Sequence, residues 1–222
     1  MEEHIVKILG IEKVTHDVNK LTVEKPKGYS FNPGQATEVA INKINYRDKK
    51  RPFTFTGLNE WENLEFTIKI YNDHNDVTEE IGRLKPGEEL IIHDVWGAIS
   101  YKGPGVFIAA GAGVTPFIAI FRNLKLKNDL KKNKLYFSNK TSDDIILKNE
   151  LFELLGDNFI NLLTREKNSE YHFGRINESF LKEQIFDFNQ NFYICGPDKF
   201  VQDINSILEI LGAKPDSVVL ES

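Results

Sequence analysis

GVFIAAGAGVTPFIAIF, residues 105–121, joins a short apolar run to two glycines one residue apart and then to Thr-Pro opening a helical pattern. Val106–Ala110 is continuous and apolar, as expected of a parallel strand buried on both faces. Gly111 and Gly113 permit a tight turn and let a ligand come close to the backbone. Thr115 reads as an N-cap and Pro116 as the first helical position. A helix starting there points free N–H groups and its positive dipole end at whatever lies above Gly113, and phosphate is the usual guest. The pattern GxGxTP is not the commoner GxGxxG fingerprint. A strand–turn–helix corner with no ligand is the competing reading.

Working outward, the chain changes texture near Lys102-Gly103-Pro104-Gly105. Before it, short alternating segments recur: 5–9, 21–23, 36–41, 53–58, 64–71 and 89–95. Phe66, Ile68 and Ile70 alternate with Thr67, Lys69 and Tyr71, a period of two. Asn32-Pro33-Gly34, Asn72-Asp73 and Lys85-Pro86-Gly87 are turn signals between the segments. Such spacing predicts a small antiparallel Greek-key β-barrel, interrupted by one helix over 77–84 capped by Asp76 or Thr78. After the boundary, strands at 106–110, 134–138, 159–164, 192–195 and 218–220 alternate with helices at 115–126, 147–155, 177–184 and 198–211. That alternation predicts a parallel sheet covered by helices. The expectation is two domains, a barrel over 1–102 and an α/β domain over 103–222.

Composition sets the class. The chain has 222 residues, 41% hydrophobic and 27% charged, with a net charge of −5, which describes an ordinary globular protein. The negative balance argues against nucleic acid as a partner. The basic tract Lys125–Lys134 reads as a solvated helix end and loop. The longest apolar stretch, Val106–Phe121, is broken by Gly-Ala-Gly and Pro and is too short for a membrane span, so no membrane insertion is expected. The N-terminus lacks the build of a signal peptide. One cysteine, Cys195, leaves no internal disulfide framework and no iron–sulfur site. These features point to a cytoplasmic protein, expected to act as a monomer.

Three further stretches could carry chemistry. Arg51-Pro52-Phe53-Thr54 puts a cation, a ring and a hydroxyl on one strand. Arg can pair with a pyrophosphate, the aromatic can stack on a planar ring, and the hydroxyl can bond a ring nitrogen. A solvent-facing Arg beside core phenylalanines is the alternative. Asn75-Asp76-Val77-Thr78 precedes a short helix whose free amides could receive phosphate, although Glu79 and Glu80 would repel an anion from one side. An ordinary capped connector reads equally well. Cys195-Gly196-Pro197-Asp198 follows an apolar strand, where open α/β sheets present ligands. A buried inert thiol is the alternative.

Taken in order, RPFT in a β-rich half, GAGVTP at the start of an α/β half and CGPD near the end closely resemble the ferredoxin–NADP reductase-like family of flavin-dependent oxidoreductases, over essentially the whole chain. The resemblance implies FAD as cofactor and NADPH or NADH as hydride donor. It implies that Arg51, with Pro52, holds the FAD pyrophosphate, that Phe53 stacks on the isoalloxazine, and that Thr54 bonds near flavin N5. Ile68, Lys69 and Ile70 match the strand lining the flavin's polar edge, and Val77 and Thr78 the helix start that receives its phosphates. Gly111, Gly113, Thr115 and Pro116 match the nicotinamide-nucleotide turn, while Cys195, Gly196 and Pro197 match the motif that positions the nicotinamide. Glu221 resembles the acidic residue common near the carboxyl terminus. Thr54, Cys195 and Glu221 are thus the implied catalytic groups. Two departures stand out: Phe53 replaces the usual Tyr, and the chain ends in Glu221-Ser222 where many members carry a covering aromatic. The second departure implies an open nicotinamide site and faster reaction with oxygen.

Donor choice rests on the residues after the second α/β strand. Ser138–Thr141 contains no carboxylate to repel a 2′-phosphate, and Lys140, Lys148 and Arg165 could meet one. That favours NADPH slightly, against Asp143 and Asp144 close by. A separate ferredoxin or flavodoxin, docked on Lys49, Lys50 and Lys102, is the expected acceptor. A dedicated oxygenase partner and free flavin remain open. A different class of function also remains: a sensor or electron-transfer subunit that does not itself oxidise NAD(P)H.

Overall fold

A computed structural model describes residues 2–71, 77–97, 99–130, 132–214 and 218–220. The chain forms two compact units, Met1–Ala98 with Thr115–Asn123, and Ile99–Val114 with Leu124–Ser222.

The first unit holds six strands: β1 (His4–Thr15), β2 (Val18–Val23), β3 (Gln35–Ile41), β4 (Arg51–Thr54), β5 (Leu64–Lys69) and β6 (Glu89–Gly97), with the short helix α1 (Val77–Ile81). They form an antiparallel sheet in the order β4-β3-β6-β1-β2-β5. A bridge between Phe55 and Phe66 and a hydrogen bond from Thr56 N to Glu65 O (2.9 Å) join its two ends, curling the sheet into a barrel. The last strand, β6, returns between β3 and β1, the Greek-key arrangement expected from the spacing. β1 serves both neighbours: His4–Lys7 pairs with β6, and the segment from Ile8 pairs with β2 across a register shift at Ile8/Gly10. Such an irregularity bends a strand around a barrel corner. At the centre Phe31 stacks on Phe55 with ring centroids 4.1 Å apart, and the Phe66 ring lies tilted 5.1 Å from Phe55.

β5 departs from simple alternation, because Leu64 through Ile68 are all buried. The polar members face partners instead of water. Glu65 pairs with Arg122 at 2.6 Å, each side chain only 10% exposed. Arg122 also donates to Thr56 O (2.8 Å), and Thr56 Oγ1 donates to Glu65 Oε1 (2.8 Å). Thr67 Oγ1 lies 3.2 Å from the Thr56 hydroxyl, and the Trp61 ring covers the guanidinium at 5.2 Å.

The second unit holds β7 (Gly105–Ala110), β8 (Lys134–Asn139), β9 (Phe159–Leu163), β10 (His172–Phe173), β11 (Asn191–Cys195) and β12 (Val218–Leu220). Their order is β10-β9-β8-β7-β11-β12, and every pairing is parallel. Helices α2 (Thr115–Leu126), α3 (Lys148–Leu155), α4 (Glu178–Gln184) and α5 (Asp198–Ile210) connect the strands. One face packs Ile108, Tyr136, Phe192 and Ile194 against Leu181 and Leu208. The two-residue β10 is too short to leave a pattern in the sequence. Two capping expectations are corrected. Gly111–Val114 forms a 3₁₀ turn that runs straight into α2, so Thr115 is a helical residue and not the cap. Thr78 likewise lies inside α1, and Asp76 falls outside the described residues. Among the described residues no helix is long and apolar enough to cross a membrane.

Removing one partner of a buried ion pair strands the other charge and costs about 3–5 kcal/mol. Arg122→Met should therefore lower unfolding free energy by that amount in urea denaturation, and adding Glu65→Leu should recover most of the loss. A single variant as stable as the parent would show that the pair contributes nothing.

Candidate functional site

Strand order reverses beside β7. The chain leaves β7 toward β8 on one side, while β11 lies on the other. Open α/β sheets bind ligands past the carboxyl ends of their strands at such a switch point. Gly111–Val114 and Cys195–Pro197 both lie there. A Cβ on Gly113 would sit 2.3 Å from Cys195 O and 2.6 Å from Gly196 N, so the two loops meet backbone to backbone and only glycine fits. Gly111 has φ +53°, and a Cβ there would meet open space. A Cβ on Gly196 would lie 2.8 Å from the Phe200 ring. The turn is thus closed toward β11 and open outward, the shape a nucleotide phosphate needs. Cys195 is 1% exposed, so its thiol is a small packed group at the strand end. Pro197 precedes α5 in extended conformation, and Thr115 and Pro116 begin α2.

The opposite, amino ends of the same strands are held by residues the motifs did not single out. A Cβ on Gly105 would lie 2.1 Å from Asn191 O, so β7 and β11 also touch at their starts. Asn133, 1% exposed, accepts from Gly105 N (3.2 Å) and donates to Leu130 O (3.3 Å). The Tyr193 hydroxyl donates to Gly103 O (2.7 Å) and accepts from Lys102 N (2.9 Å). Its ring stacks on Phe107 at 4.3 Å, and burial pushes its pKa up. Asn133 sits inside the basic tract read as solvated. Its one signal was its place just before an apolar strand.

In the barrel unit, β4 is an edge strand paired only with β3 among the named strands. Pro52 suits such an edge, since it donates no ladder hydrogen bond. Arg51 and Pro52 are exposed, Phe53 is half-buried against the core and Thr54 is buried. Among the described residues the Thr54 hydroxyl has no hydrogen-bond partner, leaving it available to a ligand. Ile68 lies in the core, so a ligand can meet only its backbone. β5 pairs with β2 along its length but with Phe55 only at Phe66 on its other side, which leaves an outer edge at Thr67–Lys69. Lys69 binds Asp17 at 2.6 Å. Burial acts to raise the Asp17 pKa, but the bonds from Lys69 and Thr15 outweigh it and hold the carboxyl low. Ile70 packs on the core, Val77 is buried and Thr78 half-buried at the start of α1. Glu221 lies outside the described residues.

The segment after β8 carries a second cluster. Thr141 donates from both N (2.8 Å) and Oγ1 (2.7 Å) to Asp144 Oδ2. Ser142 donates from N (2.8 Å) and Oγ (3.0 Å) to Glu166 Oε2. Asn168 Nδ2 donates to Glu166 Oε1 (2.6 Å). The Ser142 amide, then Asn168 and the Ser142 hydroxyl, hold the Glu166 carboxyl below the usual range. Lys148 is engaged with Glu170 at 3.4 Å and lies 5.0 Å from the Tyr171 ring centre. Lys140 and Arg165 are exposed.

Residues 107–206 match the oxidoreductase NAD-binding domain family. Over 97% of its length the chain is 20% identical to the ferredoxin–NAD(P)(+) reductase component of the naphthalene 1,2-dioxygenase system of Pseudomonas putida, covering 67% of that protein. It is 24% identical to the reductase component of propane 2-monooxygenase from Rhodococcus jostii, over 96% of this chain and 61% of that one. The chain therefore spans about two thirds of the length of these relatives. Its fold superposes on the crystal structure of a ferredoxin NADP+ reductase from Neisseria gonorrhoeae with bound FAD and NADP, with a TM-score of 0.86 at 18% identity, over 100% of this chain and 98% of that one. A curled antiparallel barrel, a parallel sheet with a glycine turn at its switch point and these likenesses agree: the chain has the two-domain fold seen in ferredoxin–NADP reductase-like proteins, and its residues 107–206 belong to the oxidoreductase NAD-binding domain family.

Proposed function

We propose that this chain is an FAD-dependent reductase that takes a hydride from a nicotinamide nucleotide and delivers electrons to a separate acceptor protein. The backbone contact of Gly113 with Cys195 and Gly196 carries this reading, because it builds a phosphate turn and a nicotinamide-facing loop into one crevice. FAD, when bound, accepts two electrons as hydride and can release them singly.

The protein's own part is positioning. Arg51 offers a planar, permanently charged fork to a pyrophosphate, and Pro52 keeps the strand edge free for it. Phe53 presents a ring for stacking, without the hydroxyl a Tyr would add. Thr54 supplies a hydroxyl toward a ring nitrogen, and the open edge of β5 at Ile68, Lys69 and Ile70 offers backbone groups to a polar ring edge. Val77 and Thr78 present the first turn of α1 to phosphate. After β7, Gly111 and Gly113 with the following Thr115 and Pro116 receive the nucleotide phosphates, while Cys195, Gly196 and Pro197 set where the nicotinamide lies. Glu221 is proposed as the acidic group near the reacting ring. Hydride transfer depends on alignment more than on a protein acid or base.

The relatives named as reductase components of dioxygenase and monooxygenase systems support an acceptor protein. A ferredoxin or flavodoxin fits, met by the exposed Lys49 and the half-buried Lys50 beside β4.

An anaerobic visible spectrum of FAD-loaded protein should bleach on adding a reduced nicotinamide nucleotide. Flavin bound but bleached by neither NADH nor NADPH would favour a sensor or electron-transfer subunit, and failure to take up FAD would undo the Arg51–Thr54 assignment. Thr54→Val should slow flavin reduction about 10–100-fold with little change in nucleotide affinity; equal effects on both would remove its role. Gly113→Ala should leave FAD uptake intact while cutting the reduction rate by about 100-fold, since the added methyl must push the two loops apart. An unchanged rate in stopped-flow would refute the crevice as the nucleotide site.

A further inference from the structure

In doubly wound sheets the chain that follows the second strand lies beside the adenosine ribose. Here that chain is Lys140–Asp144, joined by Glu166 from the end of β9. A 2′-phosphate is held by directed N–H and O–H donors together with cations. Four donors of this segment are already committed. Thr141 N and Oγ1 both donate to Asp144, and Ser142 N and Oγ both donate to Glu166.

Given the reductase reading, we infer that Asp144 and Glu166 exclude a 2′-phosphate and make NADH the donor. Each carboxylate occupies the hydrogen-bonding position a phosphate oxygen would take. To admit NADPH the segment must break four hydrogen bonds and leave two carboxylates beside a dianion. NADH presents a 2′-hydroxyl instead, which can donate to a carboxylate. The nearby cations do not reverse this balance. Lys148 is held by Glu170 and Tyr171, while Lys140 and Arg165 stand in solvent, where exposed charges are screened and weakly directing. Asp143, also exposed, adds a further negative charge to the same rim.

The decisive experiment titrates the FAD-loaded full chain calorimetrically with ADP-ribose and with its 2′-phosphorylated form, and compares NADH with NADPH in stopped-flow flavin reduction. The unphosphorylated ligand should bind at least about tenfold more tightly, and NADH should reduce the flavin with at least about tenfold higher kcat/KM. Asp144→Asn with Glu166→Gln, which keeps the shape and removes both charges, should narrow each ratio at least about fivefold through a gain for the phosphorylated form. Thermal melts confirm that the variant is folded, and Glu166→Gln alone serves if the double variant is not. Equal or tighter binding of the phosphorylated ligand by the parent chain overturns the inference, as does a folded variant whose ratios do not move. If both nucleotides reduce the flavin alike, only the donor choice fails. If neither does, the reductase reading fails first and takes this inference with it.

Discussion

The approach of Gly113 to Cys195 is the constraint on which the α/β unit turns. Two backbones meet where any side chain would lie 2.3 Å from a carbonyl oxygen. At the opposite end of the same strand pair, Gly105 meets Asn191 O with equal closeness. Between those contacts β7 and β11 run in unbroken parallel register, from Asn191 beside Gly105 to Cys195 beside Ala109. Glycine at both ends lets the strands close fully, and full closure is what brings the turn after β7 against the loop after β11. The crevice is a consequence of strand packing, and its chemistry follows from which backbone groups that packing leaves facing outward.

The barrel unit is organised differently, around a polar group. Apolar packing of Phe31, Phe55 and Phe66 supplies its non-directional cohesion. The Glu65–Arg122 pair with Thr56 and Thr67 adds direction, because every member has a specified partner. A buried pair of this kind gives little net stability against apolar residues of the same size. Its effect here is to tie residues 115–123 to the sheet of the unit, since Arg122 bonds both Glu65 and Thr56 O.

Much of this was legible in the residues. Periodicity located nearly all the strands and helices, because a two-sided parallel sheet and a one-sided barrel leave different apolar patterns. α2 runs from Thr115 to Leu126 as its pattern implied. What stayed hidden depends on contacts between distant segments. Thr67 stood on the polar side of an alternating strand and is buried, and Glu65, in the same phase, is buried against Arg122, 57 positions away. Asn133 looked like part of a charged loop and instead anchors Gly105. The motif glycines were readable as turns, yet nothing local indicated that Gly113 would press on Cys195.

The nucleotide donor shows the same limit most sharply. Ser138–Thr141 contains no carboxylate, and a window of four residues therefore favours a phosphate. The fold brings Asp144 back onto Thr141 through a single 3₁₀ turn (Ser142–Asp144) and delivers Glu166 to Ser142 from the end of the adjacent strand. Charge counting over the two loops does not separate the alternatives, since lysines and arginines nearly match the acids. Directed bonds do. A side chain already placed within 2.8 Å of a backbone amide competes for that donor without the entropy cost a diffusing ligand must meet. On the inference drawn above, specificity at this crevice rests on groups that a parallel sheet gathers at neighbouring strand ends, and these come together only once β8 and β9 are paired.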